Sequence, residues 1–173
     1  MKRISTLLGR ISGDIGAEIT GERRADVVSA LQAAYCDEWM AFHQYVSGAL
    51  VAEGMFRPEV EKELEEHAED EKRHAEMIAE RLVQLGAVPV MNPSDWTKYG
   101  RCGFKAPDSG NTESLLSDNV RAEQCAIKFY SGMLGILSGD PVTEDMIRDI
   151  LEDEVEHEED LQNVQRDIRI TQE

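Results

Sequence analysis

The chain has 173 residues, and its 35 Asp and Glu against 18 Lys and Arg leave a net charge of −17. That length suits one domain with a sizeable core, and that charge excludes an electrostatic grip on nucleic acid or on an anionic membrane surface. Three cysteines, an odd count, rule out a fully paired disulfide framework and point to a reducing compartment; with no apolar run long enough for a signal peptide or a membrane span, a soluble cytoplasmic protein is expected.

In chain order, residues 1–22 are Gly-rich and mixed in charge and read as an N-terminal arm, with residues 23–173 as one domain. The basic residues Lys2, Arg3, Arg10, Arg23 and Arg24 are offset by Asp14, Glu18 and Glu22, which disfavours DNA binding. Four segments then carry a helical hydrophobic period with no internal proline: about Ala25 to Glu53, Glu59 to Leu85, Thr112 to Leu137 and Thr143 to Ile170. At about 1.5 Å per residue each is roughly 40 Å long. The links Gly54 to Pro58 and Ser138 to Val142 are short and make two antiparallel hairpins, the second with Gly139 as a stop and Asp140-Pro141 as a restart. The middle link, about Gly86 to Asn111, mixes Pro and Gly with Trp96, Tyr99 and Phe104, and reads as a packed crossover able to run the length of a bundle. The predicted fold is all-α: a four-helix bundle with a long crossover between helices two and three.

Most of the acid on helices two and four reads as solvated helix face, including Glu63, Asp153 and Asp160. Four glutamates differ because of their phase. Positions 3, 4, 7 and 11 residues apart share a face. Around Glu38 these are Leu31, Ala34, Tyr35, Ala41, Phe42 and Tyr45; around Glu71, Leu64, Ala68, Ala75, Ile78 and Leu82. Around Glu123 they are Leu116, Val120, Ala126, Ile127, Tyr130 and Leu134; around Glu154, Ile147, Ile150, Leu151 and Leu161. Each helix therefore places one glutamate in its own core-facing stripe. Unpaired buried carboxylates are costly, and four at one level repel each other; shared cations remove both problems. Helices two and four add His74 and His157, each three residues after its glutamate and on the same face. Four carboxylates and two imidazoles suit two divalent metals with bridging carboxylates and open positions for an oxidant. The intervals agree, with 33 residues from Glu38 to Glu71 and 31 from Glu123 to Glu154, so the paired positions reach similar depth.

At these residues the chain resembles the ferritin-like superfamily. The stretch Glu38 to Tyr45 is similar to the first-helix motif of bacterioferritins, Asp70 to Ala75 to the second, and Glu123 and Glu154 with His157 to the third and fourth. The resemblance implies Glu71 and Glu154 as bridging ligands, Glu38 with His74 and Glu123 with His157 as terminal ligands, and Tyr45 as a catalytic-site hydrogen-bond donor. It implies a ferroxidase with two irons per chain, manganese being possible. It also implies an iron-storage cage that uses hydrogen peroxide or dioxygen and protects against oxidative stress. Lys72 stands where bacterioferritins carry a haem-ligating Met, so no haem is expected. The chain lacks room for the fifth helix of 24-subunit cages and holds Cys102 and Cys125 near the site, features that resemble the Dps-like thioferritins and imply a dodecamer. A haem-free 24-subunit bacterioferritin, a non-storage di-iron or di-manganese peroxidase, and an acidic bundle for a cationic partner are the alternatives.

Cys102 and Cys125 read either as small buried hydrophobes or, with the resemblance, as a redox pair; whether they are bonded stays open. Cys36 reads as structural. His67 is a core histidine, a partner of the site or a third metal position, and His43 lies off the ligand stripe. Tyr130, Trp39 and Trp96 read as packing.

Overall fold

The computed structural model describes residues 14–172; residues 1–13 of the expected arm and Glu173 lie outside the described residues. The rest of the arm is a short helix, α1 (Asp14–Glu18), and a 3-10 turn (Gly21–Arg23). Then come α2 (Arg24–Val51), α3 (Arg57–Gln84), the one-turn α4 (Trp96–Tyr99), α5 (Thr112–Leu134) and α6 (Pro141–Gln172). Among the described residues there is no named strand, and no helix is long and apolar enough to cross a membrane. The four long helices are the expected four.

The helix ends on either side of the second hairpin turn differ from the sequence reading. The third long helix was expected to reach Leu137 and stops at Leu134. The amides of Gly135, Ile136 and Leu137 donate to the carbonyls of Gly132, Met133 and Leu134, tightening the end into a 3-10 turn. Leu137 nevertheless stays fully buried. Gly139, at φ +100°, turns the chain, and α6 restarts at Pro141 rather than Thr143. Proline suits a first helical position because its missing N–H has no partner there. Asp140 caps the helix, its Oδ1 accepting from the Thr143 amide at 3.1 Å.

The crossover settles the topology. Arg24 donates to the Leu85 carbonyl, Gln32 to that of Val88, and Trp39 stacks on Trp96. Asp37 holds Arg101, Gln44 holds Lys105, and Glu53 pairs with Asn111. The link therefore runs along α2 from its N-terminal to its C-terminal end. It delivers α5 at the far end, antiparallel to α2, so that Asn119 and Glu123 meet Gln44 and Tyr45 while Tyr130, further along α5, meets the earlier Glu38. Likewise α6 runs antiparallel to α3: His74 meets Asp153 and Arg81 meets Thr143.

Two apolar clusters fill the bundle. One gathers Leu31, Ile78, Leu82, Leu137, Ile147 and Ile150. The other gathers Tyr45, Val60, Leu64, Leu116, Leu161 and Ile168. Between them lies the layer of buried acids and imidazoles. Beyond the first cluster a buried ion pair ties the hairpins together: Arg81 reaches both Asp140 oxygens at 3.0 Å and donates to Thr143 Oγ1 at 2.7 Å.

Removing one partner of such a pair strands the other charge. Asp140→Ala is expected to lower stability by about 3–5 kcal/mol, read from urea denaturation. A loss below about 1 kcal/mol, the scale of a surface pair, would show that the ion pair is not needed to hold the hairpins.

Candidate metal centre

Glu38 comes from α2, Glu71 and His74 from α3, Glu123 from α5, and Glu154 and His157 from α6, and none is more than 4% exposed. The structure brings all six together as two overlapping groups. Glu38, Glu71, His74 and Glu154 form one; Glu71, Glu123, Glu154 and His157 form the other. Within each group, ligand atoms lie within 4.8 Å of one another. Glu71 and Glu154 belong to both.

The sharing is visible atom by atom. Glu71 sets Oε2 3.3 Å from His74 Nδ1 and Oε1 3.5 Å from His157 Nδ1. Glu154 sets Oε1 3.5 Å from His74 Nδ1 and Oε2 4.0 Å from His157 Nδ1. Each shared carboxylate thus turns one oxygen toward each half, as a bridge requires. Glu38 and Glu123 stand at opposite ends, and their outer oxygens are held by tyrosines: Tyr130 donates to Glu38 and Tyr45 donates to Glu123. Tyr45 was expected as a donor. Tyr130 was read as packing, and its hydroxyl instead mirrors Tyr45; its place seven residues after Glu123 matches that of Tyr45 after Glu38.

Outer carboxylates orient the histidines. His74 Nε2 lies 3.0 Å from Asp153 Oδ2, and His157 Nε2 lies 3.6 Å from Asp70 Oδ2. Such partners fix the tautomer and aim Nδ1 inward. Arg73 joins the two aspartates, 2.8 Å from each. Asp153 was read as solvated face, and that reading is corrected here. A signal existed: an aspartate directly precedes each paired glutamate, in Asp70-Glu71 and Asp153-Glu154, and each crosses to the histidine of the other helix.

The donors fit divalent cations. Glu38 Oε2, Glu71 Oε1, Glu123 Oε2, Glu154 Oε1 and His157 Nδ1 are buried with no hydrogen-bond partner, an arrangement native interiors otherwise avoid. Burial, together with the charge of Glu38 and Glu123, raises the Glu71 pKa well above the usual carboxylate value. Burial and Glu154 raise that of Glu123. Burial and Glu71 push Glu154 up to about 8. Burial opposes charge on His74, but Glu154, Glu38 and Glu71 outweigh it and raise its pKa; burial of Glu38 is in turn outweighed by His74, which lowers it.

The crossover closes the site between α2 and α5. Asp37 accepts the amides of Arg101 and Cys102 at 2.8 and 2.9 Å, and Gln44 accepts that of Lys105 at 2.9 Å. Burial pushes Asp37 up to about 6 against these bonds. A Cβ at Gly100 would lie 2.4 Å from Met40 Cε and 2.5 Å from Asp37 Oδ1, so a larger residue would displace these side chains. Cys102 and Cys125 form a disulfide that fastens the crossover to α5. Beneath it a cavity of about 20 Å³, lined by Asp37, Cys102, Glu38, Glu71, Glu123 and Glu154, reaches the acids. Cys36 is buried, its thiol pushed up to about 12 by burial and by Asp37, so it is inert. His67 stacks on His157 and lies beside Glu63 rather than in either group, and His43 stacks on Phe104.

This bundle is that of a known class. Residues 28–171 match the ferritin-like domain, and the chain belongs to that family. It is 28% identical over 138 residues to the bacterioferritin of Desulfovibrio desulfuricans, covering 79% of this chain and 72% of that one. It is 24% identical over 143 residues to the DNA protection during starvation protein of Pyrococcus furiosus, covering 82% and 77%. Among solved structures, the dodecameric thioferritin of Bacteroides fragilis, a bacterioferritin-related protein, superposes with a TM-score of 0.89. That pair is 38% identical over 92% of this chain and 97% of that one. Dps from Thermosynechococcus elongatus shares the fold, with a TM-score of 0.79 at 16% identity over 83% and 92% of the chains.

The raised pKa values make cation binding a proton exchange. Near neutral pH Glu154, pushed up to about 8, holds a proton that a divalent cation must displace, and the upward shifts of Glu71 and Glu123 act in the same direction. Zn(II) binding at pH 7 is therefore expected to release protons, with affinity rising as pH approaches about 8. Calorimetry in buffers of different ionisation enthalpy measures the release. Binding without proton release would contradict the assigned environment.

Proposed function

We propose that the chain is a ferroxidase and iron-storage protein that oxidises Fe(II) in pairs between Glu71 and Glu154. The supporting observation is the pair of shared glutamates, each turning one oxygen to each histidine, with Glu71 Oε1 and Glu154 Oε1 buried and without a hydrogen-bond partner. Fe(II) is the substrate, two ions per chain; the same donors accept Mn(II). Glu38 with His74 and Glu123 with His157 complete the two ends. Two Fe(II) and one hydrogen peroxide with two protons give two Fe(III) and two waters, so electrons leave as a pair and no one-electron radical is released. With dioxygen the same two electrons give hydrogen peroxide.

The chain's own groups prepare this step. The carboxylates neutralise the charge that Fe(III) adds. Tyr45 and Tyr130 hold Glu123 and Glu38 in place by their hydroxyl protons. The small cavity under Cys102 admits a molecule the size of peroxide or dioxygen from the crossover side. The disulfide beside it suits a redox role: as two thiols, Cys102 and Cys125 would give two electrons and two protons to peroxide, yielding the disulfide and two waters. An external dithiol would then restore them.

Storage rests on assembly. Val46, Leu50, Val51 and Met55 form an exposed apolar patch at the end of α2, with Leu50 83% exposed. Such patches on a soluble chain favour burial against a second copy. With the likeness to a dodecameric thioferritin, this supports a twelve-chain cage with an acidic lining for Fe(III) mineral. Light scattering should give a particle of about twelve chains; a monomer or dimer would remove the storage role.

Stopped-flow oxidation of Fe(II) tests the chemistry. Peroxide is expected to outpace dioxygen, and Glu123→Ala to lose the fast phase with both. Equal rates for the two oxidants would remove the role in peroxide protection, and a fast phase surviving in Glu123→Ala would remove the site. In the same assay, with thiols reduced, Cys102→Ser should consume one peroxide fewer per chain than the parent.

A further inference from the structure

A third buried imidazole lies outside both groups. His67, on α3, is 5% exposed, and its Nδ1 has no hydrogen-bond partner. Its Nε2 lies 3.4 Å from Glu63 Oε1, one turn earlier on the same helix. From α6, Asp160 brings a carboxylate to the same place: one ligand atom of each of Glu63, His67 and Asp160 lies within 4.8 Å of the others. A simple Glu63–His67 contact does not explain this arrangement. The 3.4 Å separation is longer than the roughly 2.7–2.9 Å of a charge-assisted hydrogen bond. Nor does it explain Asp160, which pairs with no Lys or Arg among the described residues. Two carboxylates from different helices converge on a buried ring with no lysine or arginine salt-bridged to either.

We propose that Glu63, His67 and Asp160 form a third divalent-cation site, separate from the metal pair. One imidazole nitrogen and two carboxylate oxygens suit Fe(II), Mn(II) or Zn(II). Glu63 and Asp160 are only half-buried, so water completes the coordination and the ion can exchange. The site adjoins the pair, because the His67 ring stacks on His157 with centroids 4.1 Å apart and planes 22° apart. It also opens to solvent at the α3–α6 seam through the part-exposed Glu63 and Asp160. It is thus placed to stage iron passing between solvent and the pair. The staging role rests on the ferroxidase reading; cation binding does not.

Crystals of the full chain grown with saturating Zn(II) test the site by anomalous diffraction. The expected result is a peak bounded by Glu63, His67 and Asp160. It should vanish in the Glu63→Gln, Asp160→Asn double variant while the peaks between Glu71 and Glu154 persist. Both substitutions lie at half-buried positions, and persistence of the pair's peaks certifies the fold. No peak at His67 in the parent, or one that survives in the double variant, overturns the proposal. A peak at His67 with none between Glu71 and Glu154 supports this site and removes the ferroxidase reading instead.

Discussion

Everything in this bundle is arranged around one electrostatic problem: four carboxylates buried at a single level between two apolar clusters. Their mutual repulsion and lost hydration would favour protonation or unfolding. The raised pKa values of Glu71, Glu123 and Glu154 express that cost directly. The helices on either side are well packed, and cations in the place of protons would relieve the repulsion. A site that holds protons when empty and cations when filled is also one whose affinity responds to pH.

The solution is close to two-fold. On α3 and α6 the order Asp, Glu, two residues, His recurs, and each aspartate orients the histidine of the opposite helix. On α2 and α5 a glutamate is followed seven residues later by a tyrosine, and each tyrosine holds the glutamate of the opposite helix. Glu38, Glu123, His74 and His157 are therefore each positioned from another helix. Arg73, between Asp70 and Asp153, joins the two halves on the α3–α6 side. The disulfide and Asp37 close the α2–α5 side. The two faces are chemically different: the α2–α5 side is closed by a disulfide and backbone amides, and the α3–α6 side by charged groups.

Helical phase alone located the four core glutamates, because a charged residue in an apolar stripe stands out in one dimension. The same test missed Tyr130, since a tyrosine in such a stripe is ordinary packing and only its hydroxyl partner distinguishes it. It missed Asp153 for the opposite reason: at a seam between helices an aspartate looks like any solvated acid until the facing helix is placed. The Cys102–Cys125 bond and the amides gathered by Asp37 belong to contacts set by the crossover path, which no local periodicity encodes. The helix ends at Leu134 and Pro141 moved by two or three residues because turn bonds and a proline, rather than the apolar period, determine where a helix stops.

The central claim is that Glu71 belongs to both halves of one metal pair. Anaerobic Fe(II) uptake, counted per chain in the parent and in Glu71→Ala, tests it most directly. A shared ligand predicts that this single substitution costs both ions of the pair. Loss of one ion, with the other bound as tightly as before, would mean two independent sites and would contradict the account.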